Sequence, residues 1–444
     1  MRLLLTLILS IASTVVLAQA DTTVWIDQLF SSWNNATPGG SILVARGEKI
    51  LYQKAFGLAN LESNVPNTIN TIFEAGSVSK QFTAYSILLL ESEGKLKLTD
   101  DVRKYVPELP VYEAPITIQH LLNHTSGLKD WGSVGSLTGF PRGSRDYTIP
   151  LGLHIMTKQK TTNFKPGNEY SYSNSNYTML TVIVERVSKQ TLEDFTAERI
   201  FKPLGMKNTR WRSNFRDVIP NRAQAYSKNK DVYELNMPFE HIYGHGGLLT
   251  TTSDLLKWNQ QLEKHDAIYN KRIQRGKLND GKEIAYASGI QHGEVNGVAE
   301  INHSGSTAGY RAWLAYYPSE KLTVALLSND GGFGNFDIGR KIAEIYFGSV
   351  KPTIMSPEPV KEAEVTFDPK LYVGEYYSED AECTFKVTAN GSKLEYINDA
   401  QQTAELLPKS LNVFTSNDAT FEFKNKQLFV SINRANNIPF KKIR

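Results

Sequence analysis

From Ser77 to Glu93 the chain carries an apolar surface that runs most of the way round a helix: Val78, Phe82, Ala84, Tyr85, Ile87, Leu88, Leu89 and Leu90. Gly94 follows where a helix would stop. A helix with so little polar surface must be enclosed by the rest of the chain. Its first turn breaks the pattern. Ser77 and Lys80 are three residues apart and share a face. Ser77 is expected at the helix N-terminus, where free backbone N–H groups and the positive dipole end stabilise developing negative charge. A lysine drawn into a partly desolvated pocket loses proton affinity and can act as a base near neutral pH. The pair reads as a serine nucleophile beside its base, the plainer alternative being a serine that only helps cap a helix.

Spacing alone does not decide between these, because a chain of this length holds roughly two Ser-x-x-Lys matches by chance. Others are present: Ser92 with Lys95, Ser126 with Lys129, and Ser227 with Lys230. The first straddles Gly94, the second precedes Gly127, and the third lies in the polar run Ser227-Lys228-Asn229-Lys230-Asp231. Only Ser77 opens a long apolar helix.

The 444 residues are too many for one ordinary domain and point to two. Lys and Arg total 49 against 46 Asp and Glu, a formal charge of +3, which implies no polyanionic partner. No nucleic-acid stripe or polybasic membrane patch is expected. Met1-Arg2, the apolar run Leu3 to Leu9 and the ending Ala18-Gln19-Ala20 read as a secretory signal cleaved after Ala20, with an uncleaved anchor as the alternative. The sole cysteine, Cys383, cannot form an internal disulfide. A cysteine-dependent mechanism and a Cys-rich metal site are therefore not expected; separately, no cofactor and no metal are expected.

Trp25, Ile26, Leu29, Phe30 and Trp33 predict an amphipathic helix from Thr22 to Asn35. Strands follow at Ser41–Ala45 and Ile50–Phe56, so the Ser77 helix is entered from sheet. Ile116 to Leu122 predicts a short buried helix, and Lys129 to Gly167 a long polar loop that shapes a binding site. Helices are expected at Asn176–Ser188, Leu192–Phe201 and Thr252–Trp258. Strands return at Gly289–Gly293, Ala299–His303, Ala312–Tyr317 and Thr323–Ser328, and a helix at Phe336–Phe347 closes the domain. Pro352, Pro357 and Pro359 mark a linker over 349–366. Beyond it, six alternating segments between Tyr372 and Val430 predict a small all-β barrel or sandwich. The expected division is 1–20 signal, 21–348 main domain, 349–366 linker and 367–444 all-β domain.

Two further stretches bear on Ser77. Tyr172-Ser173-Asn174 places a phenol and an amide in a turn before a helix, and His303-Ser304-Gly305-Ser306 sits at the end of an expected strand. Taken singly, each is most simply a packed turn or a strand-end histidine.

In order, these segments resemble the serine β-lactamase and penicillin-binding protein-like superfamily, in its class C-like branch of serine esterases, D-peptidases and some D-Ala-D-Ala carboxypeptidases. The resemblance spans roughly Trp25 to Gly348. It is carried by Phe73 to Lys80, His124-Thr125-Ser126-Gly127-Leu128, Pro166-Gly167 with Tyr172-Ser173-Asn174, Pro203-Leu204-Gly205-Met206, Gly246-Gly247-Leu248 and His303-Ser304-Gly305. It implies an α/β (α+β) fold: a β-lactamase-like antiparallel sheet flanked by helices, with an all-α subdomain. The C-terminal part more weakly resembles a lipocalin-like barrel.

The resemblance also implies roles: Ser77 as acylated nucleophile, Lys80 as its base, and Tyr172 as proton relay to leaving group and water. Asn174 would orient substrate and Lys80, and His303 would stand near the substrate carboxylate or Tyr172. The Gly305-Ser306 turn of the same strand would bind substrate, the backbone N–H groups of Ser77 and Ser306 forming the oxyanion hole. Where β-lactamases usually carry a lysine in the third element, this chain has His303, mostly neutral at pH 7. The expectation is a secreted or periplasmic bacterial serine hydrolase of small-molecule or peptide substrates, such as D-amino-acid peptides, peptidoglycan fragments or small esters. The alternatives are a non-catalytic cell-wall peptide-binding or assembly protein, or a weak class C-type β-lactamase. No stable membrane span is expected once the signal is removed.

Overall fold

The computed structural model describes residues 22–348 and 367–444, apart from 265 and 426. The expected signal segment and linker lie outside these residues. A helix, α1, covers 22–29. It stops short of the predicted Asn35 because the chain tightens into turns (Phe30 N to Asp27 O 3.1 Å, Trp33 N to Phe30 O 3.0 Å), yet Ile26 of the helix and Phe30 and Trp33 of the turns are all buried. Strands β1 (Gly40–Arg46) and β2 (Lys49–Phe56) follow, then the buried helix α2 (Lys80–Ser92) and the helix α3 (Asn174–Ser188). The sheet is completed late in the chain by β3 (Gln291–Val295), β4 (Val298–Thr307), β5 (Tyr310–Tyr317) and β6 (Leu322–Ser328), and α4 (Asn335–Tyr346) ends this part.

These six strands form one antiparallel sheet in the order β3-β4-β5-β6-β1-β2, with β6 pairing β1 from Gly40↔Ser328 to Arg46↔Leu322. Alternation along each strand divides the core in two. Trp313, Ala315 and Tyr317 of β5, with Val324 and Leu326 of β6, face α1 and α4. Ala312 and Leu314, with Ala325 and Leu327, face the larger core that holds α2. On α2 even Lys80, Gln81, Thr83 and Ser86 are buried beside Phe82, Ile87, Leu88 and Leu90, as the near-continuous apolar surface requires. Phe82 stacks on Trp258, ring centroids 4.3 Å apart.

Three expectations need correction. The stretch Lys129 to Gly167 is no structureless loop: it contains helices at Trp131–Ser136 and Ile149–Lys158, capped by Asp130 and Thr148. The first is short and holds two glycines, so its composition hid it. β4 runs on to Thr307, which puts His303 inside the strand and not at its end. Asn174 is the first residue of α3, two residues ahead of the predicted start.

The C-terminal part is a closed barrel of eight antiparallel strands: β7 (Gly374–Ser378), β8 (Cys383–Asn390), β9 (Lys393–Ile397), β10 (Thr403–Ser410), β11 (Val413–Ser416), β12 (Ala419–Lys424), β13 (Gln427–Ile432) and β14 (Ala435–Lys442). Pairing of Tyr376 with Lys442 closes it. Its interior is filled by Phe385, Leu394, Leu406, Phe414, Phe421, Val430 and Phe440, among others. Val134 and Leu137, from the short helix of the main domain, belong to the same apolar cluster and seat the barrel.

Candidate active site

The two-residue strand Phe73–Glu74 pairs with Leu248–Thr250 and leads directly into a 3₁₀ turn, Gly76–Ser79, ahead of α2. A 3₁₀ turn eclipses residues i and i+3. Ser77 therefore stands directly over Lys80, the first residue of α2. The Lys80 amine is 3.1 Å from Ser77 Oγ, 2.9 Å from Asn174 Oδ1 and 2.6 Å from the His245 carbonyl oxygen. Burial holds Lys80 well below the ordinary lysine range, and the positive charges of Arg434 and Arg142 push the same way, against Asp130.

These three contacts suit either protonation state. Asn174 Oδ1 and the His245 carbonyl can only accept, so they use two N–H bonds of a neutral amine. Its lone pair is then free for the Ser77 hydroxyl proton. Once protonated, the ammonium donates all three hydrogens to the same three oxygens. A proton can thus pass between Ser77 and Lys80 without moving a heavy atom.

The Tyr172 hydroxyl shares the cavity with Ser77, and burial pushes its pKa up, so the phenol keeps its proton. Its turn is braced by His124, whose ring lies 4.3 Å from that of Tyr172. His124 Nδ1 accepts from the Ser173 N–H at 3.2 Å and faces Asn176 Nδ2 at 2.9 Å. Asn174 is held through its own backbone, whose N–H donates to Asp130 Oδ2 at 2.6 Å.

Across the cleft, β4 presses on the 3₁₀ turn. Gly76 adopts φ +50°, and a Cβ built there would fall 2.6 Å from the Ser306 nitrogen; one on Gly305 would strike the Ala75 carbonyl oxygen. Only glycines permit this approach, which brings the Ser306 backbone beside Ser77. His303 is buried and committed: its Nδ1 faces the Ser304 carbonyl at 2.6 Å and its Nε2 the Tyr286 hydroxyl at 3.0 Å. A carbonyl only accepts, so the proton is on Nδ1 and Nε2 accepts from Tyr286. Burial, reinforced by the Lys80 charge, takes His303 down to about 3, so the ring is neutral.

The structure thus gathers Ser77, Tyr172, Asn174, His303 and Ser306 round one cavity of about 480 Å³, with Lys80 buried beneath Ser77 and Gly305 packed behind. Sequence reading missed Arg142, Gln291 and Arg434, which also line it. Arg142 is paired with Glu240, Nε to Oε2 3.0 Å. Arg434 comes from the barrel.

The antiparallel sheet with its enclosed Ser–Lys helix start defines the class: a hydrolase of the β-lactamase fold. Residues 26–346 match the family described as Beta-lactamase, and the chain belongs to that family. It is 31% identical to penicillin-binding protein 4* of Bacillus subtilis over 84% of this chain and 86% of that one. It is 28% identical to the D-aminopeptidase of Brucella anthropi over 71% of this chain, and spans only 60% of that longer relative. Among solved structures, the octameric penicillin-binding protein homologue from Pyrococcus abyssi superposes with a TM-score of 0.63 at 25% identity, covering 95% of this chain and 99% of that one.

Proposed function

We propose that the chain is an exported serine hydrolase that forms an acyl-enzyme on Ser77 and acts on D-amino-acid peptides, peptidoglycan fragments or small esters. The observation that carries this reading is the threefold seat of the buried Lys80 amine on Ser77, Asn174 and the His245 carbonyl. A buried lysine with no carboxylate against it is an expensive structural device and a suitable base. The names of the relatives, a D-aminopeptidase and penicillin-binding proteins, support the substrate range.

In this reading neutral Lys80 takes the Ser77 proton as Oγ attacks the acyl carbon. The oxyanion forms between the backbone N–H groups of Ser77 and Ser306. Tyr172, kept protonated by burial, gives its proton to the leaving group and takes in exchange the serine proton held by Lys80, whose amine lies 4.9 Å from the centroid of its ring. Water then enters along the same relay in reverse and releases the acid. Neutral His303 offers no fixed charge for the carboxylate of a β-lactam, so nitrocefin turnover is expected to be slow or absent. Hydrolysis of paired D- and L-amino-acid amides, short nitrophenyl esters and nitrocefin by wild type and Ser77→Ala tests this. Turnover of a D-amide or ester that Ser77→Ala abolishes supports it; undiminished turnover in the variant overturns it.

A further inference from the structure

Two arginines line the cleft, and one is accounted for within the protein: Arg142 is paired with Glu240. The other, Arg434, sits in the two-residue turn between β13 and β14, flanked by the pair Ile432↔Ala435. Its main chain is fixed to the main domain: the Arg434 carbonyl accepts from Asp130 N at 3.2 Å and Asn163 Nδ2 at 3.0 Å, while Asn436 N donates to Asn163 Oδ1 at 2.9 Å. Its guanidinium lies over the Tyr172 ring, 4.8 Å from the centroid, and lines the cavity. Among the described residues it has no carboxylate partner, and no Asp or Glu lines that cavity. The barrel thus delivers an unneutralised planar donor fork into the cleft beside Ser77 and Tyr172. Such a fork matches a carboxylate bidentately, which the neutral and fully engaged His303 cannot do.

We propose that Arg434 is a specificity-determining residue that binds a carboxylate on the leaving-group side of the scissile bond, so that the preferred substrates are peptides ending in a free carboxylate. The side follows from its place over Tyr172, the proton donor to the leaving group, and the inference rests on the acyl-enzyme reading above. The amide C–N bond breaks as the acyl carbon bonds to Ser77 Oγ. The departing amine, its carboxylate held by Arg434, takes the serine proton through Lys80 and Tyr172. A substrate presenting a free amine at this end meets a cation and no acid. The barrel is then part of the active site, and cutting is that of a carboxypeptidase rather than an aminopeptidase.

The test compares full-length wild type, Arg434→Gln and Arg434→Lys on N-acetyl-D-Ala-D-Ala and its C-terminal amide, read as substrates or as competitive inhibitors of nitrophenyl ester hydrolysis. Thermal melting checks the fold, and fluorophosphonate labelling of wild-type Ser77 checks the nucleophile. The wild type should favour the carboxylate over the amide, and Arg434→Gln should shrink that preference by about tenfold or more, chiefly through KM or Ki, with Arg434→Lys in between. A preference equal in wild type and Arg434→Gln, or an equal loss on both ligands, overturns the proposal while leaving a labelled Ser77 intact. An unlabelled Ser77 with no turnover overturns the acyl-enzyme reading and this inference together.

Discussion

Gly76 and Ser306 meet backbone to backbone, the position of an added Cβ on Gly76 falling 2.6 Å from the Ser306 nitrogen. The contact sets the distance between the two N–H groups assigned to the oxyanion. Gly76→Ala must move β4 and also strain a residue at φ +50°. The strain should destabilise the fold by about 1–3 kcal/mol. Displacing one oxyanion donor should lower kcat about a hundredfold or more. Thermal melting and ester kinetics on the same preparation separate the two effects. A variant with unchanged kcat would remove Ser306 from the oxyanion assignment.

The pH profile should show the burial of Lys80. Catalysis needs its neutral form, so kcat/KM on a neutral ester should rise with pH and level off. The midpoint should lie well below the ordinary lysine value of 10.5, because burial and the neighbouring Arg434 and Arg142 disfavour the ammonium. His303 titrates at about 3 and contributes nothing near neutrality. Tyr172 is pushed above 10 and adds no alkaline limb below that. The linkage sign agrees: between the folded and unfolded Lys80 pKa values the unfolded chain binds more protons, so stability rises with pH relative to Lys80→Met. A limb centred near 10 would show an ordinary, solvated lysine.

Asp130 ties two parts of the site together, Oδ1 accepting from Gly132 N at 3.0 Å and Ser133 N at 3.1 Å while Oδ2 accepts from Asn174 N at 2.6 Å. Asp130→Ala should lose a helix cap, about 0.5–2 kcal/mol in chemical denaturation. It should also loosen Asn174, so that kcat falls more than the stability loss accounts for. Asp130→Asn, which keeps one acceptor, should recover part of both.

The fold was more legible than the barrel, and the nucleophile more legible than its surroundings. The sheet announced itself because β5 and β6 alternate cleanly between two cores, and α2 because its apolar surface is nearly unbroken. Strands β10 and β14 went unread because Pro408 and Pro439 lie inside them; the pairing shifts register at Pro408, whereas Pro439 stays in register opposite Phe429. Missing β14 also meant missing the turn before it, and with it Arg434. No local pattern could have supplied that residue: its meaning comes from docking the barrel against Asp130 and Asn163, a contact between positions some three hundred residues apart. The same holds for Glu240, which neutralises Arg142 from a distant loop.

Cys383 should be inert in the folded protein. It is fully buried in the barrel wall, and burial pushes its thiol pKa up, against formation of the reactive thiolate. A thiol reagent should find about zero equivalents in buffer and about one in denaturant. Reaction in buffer would mean that the barrel opens under native conditions.

The most direct measurement is the mass of the covalent adduct after incubation with a fluorophosphonate or a slowly deacylating D-amino-acid ester, followed by peptide mapping of wild type, Ser77→Ala and Lys80→Ala. One adduct on the peptide containing Ser77 is predicted in the wild type, none in Ser77→Ala, and formation slowed about a thousandfold or more in Lys80→Ala. An adduct on another residue, or one that forms as readily without the Ser77 hydroxyl, would contradict the account.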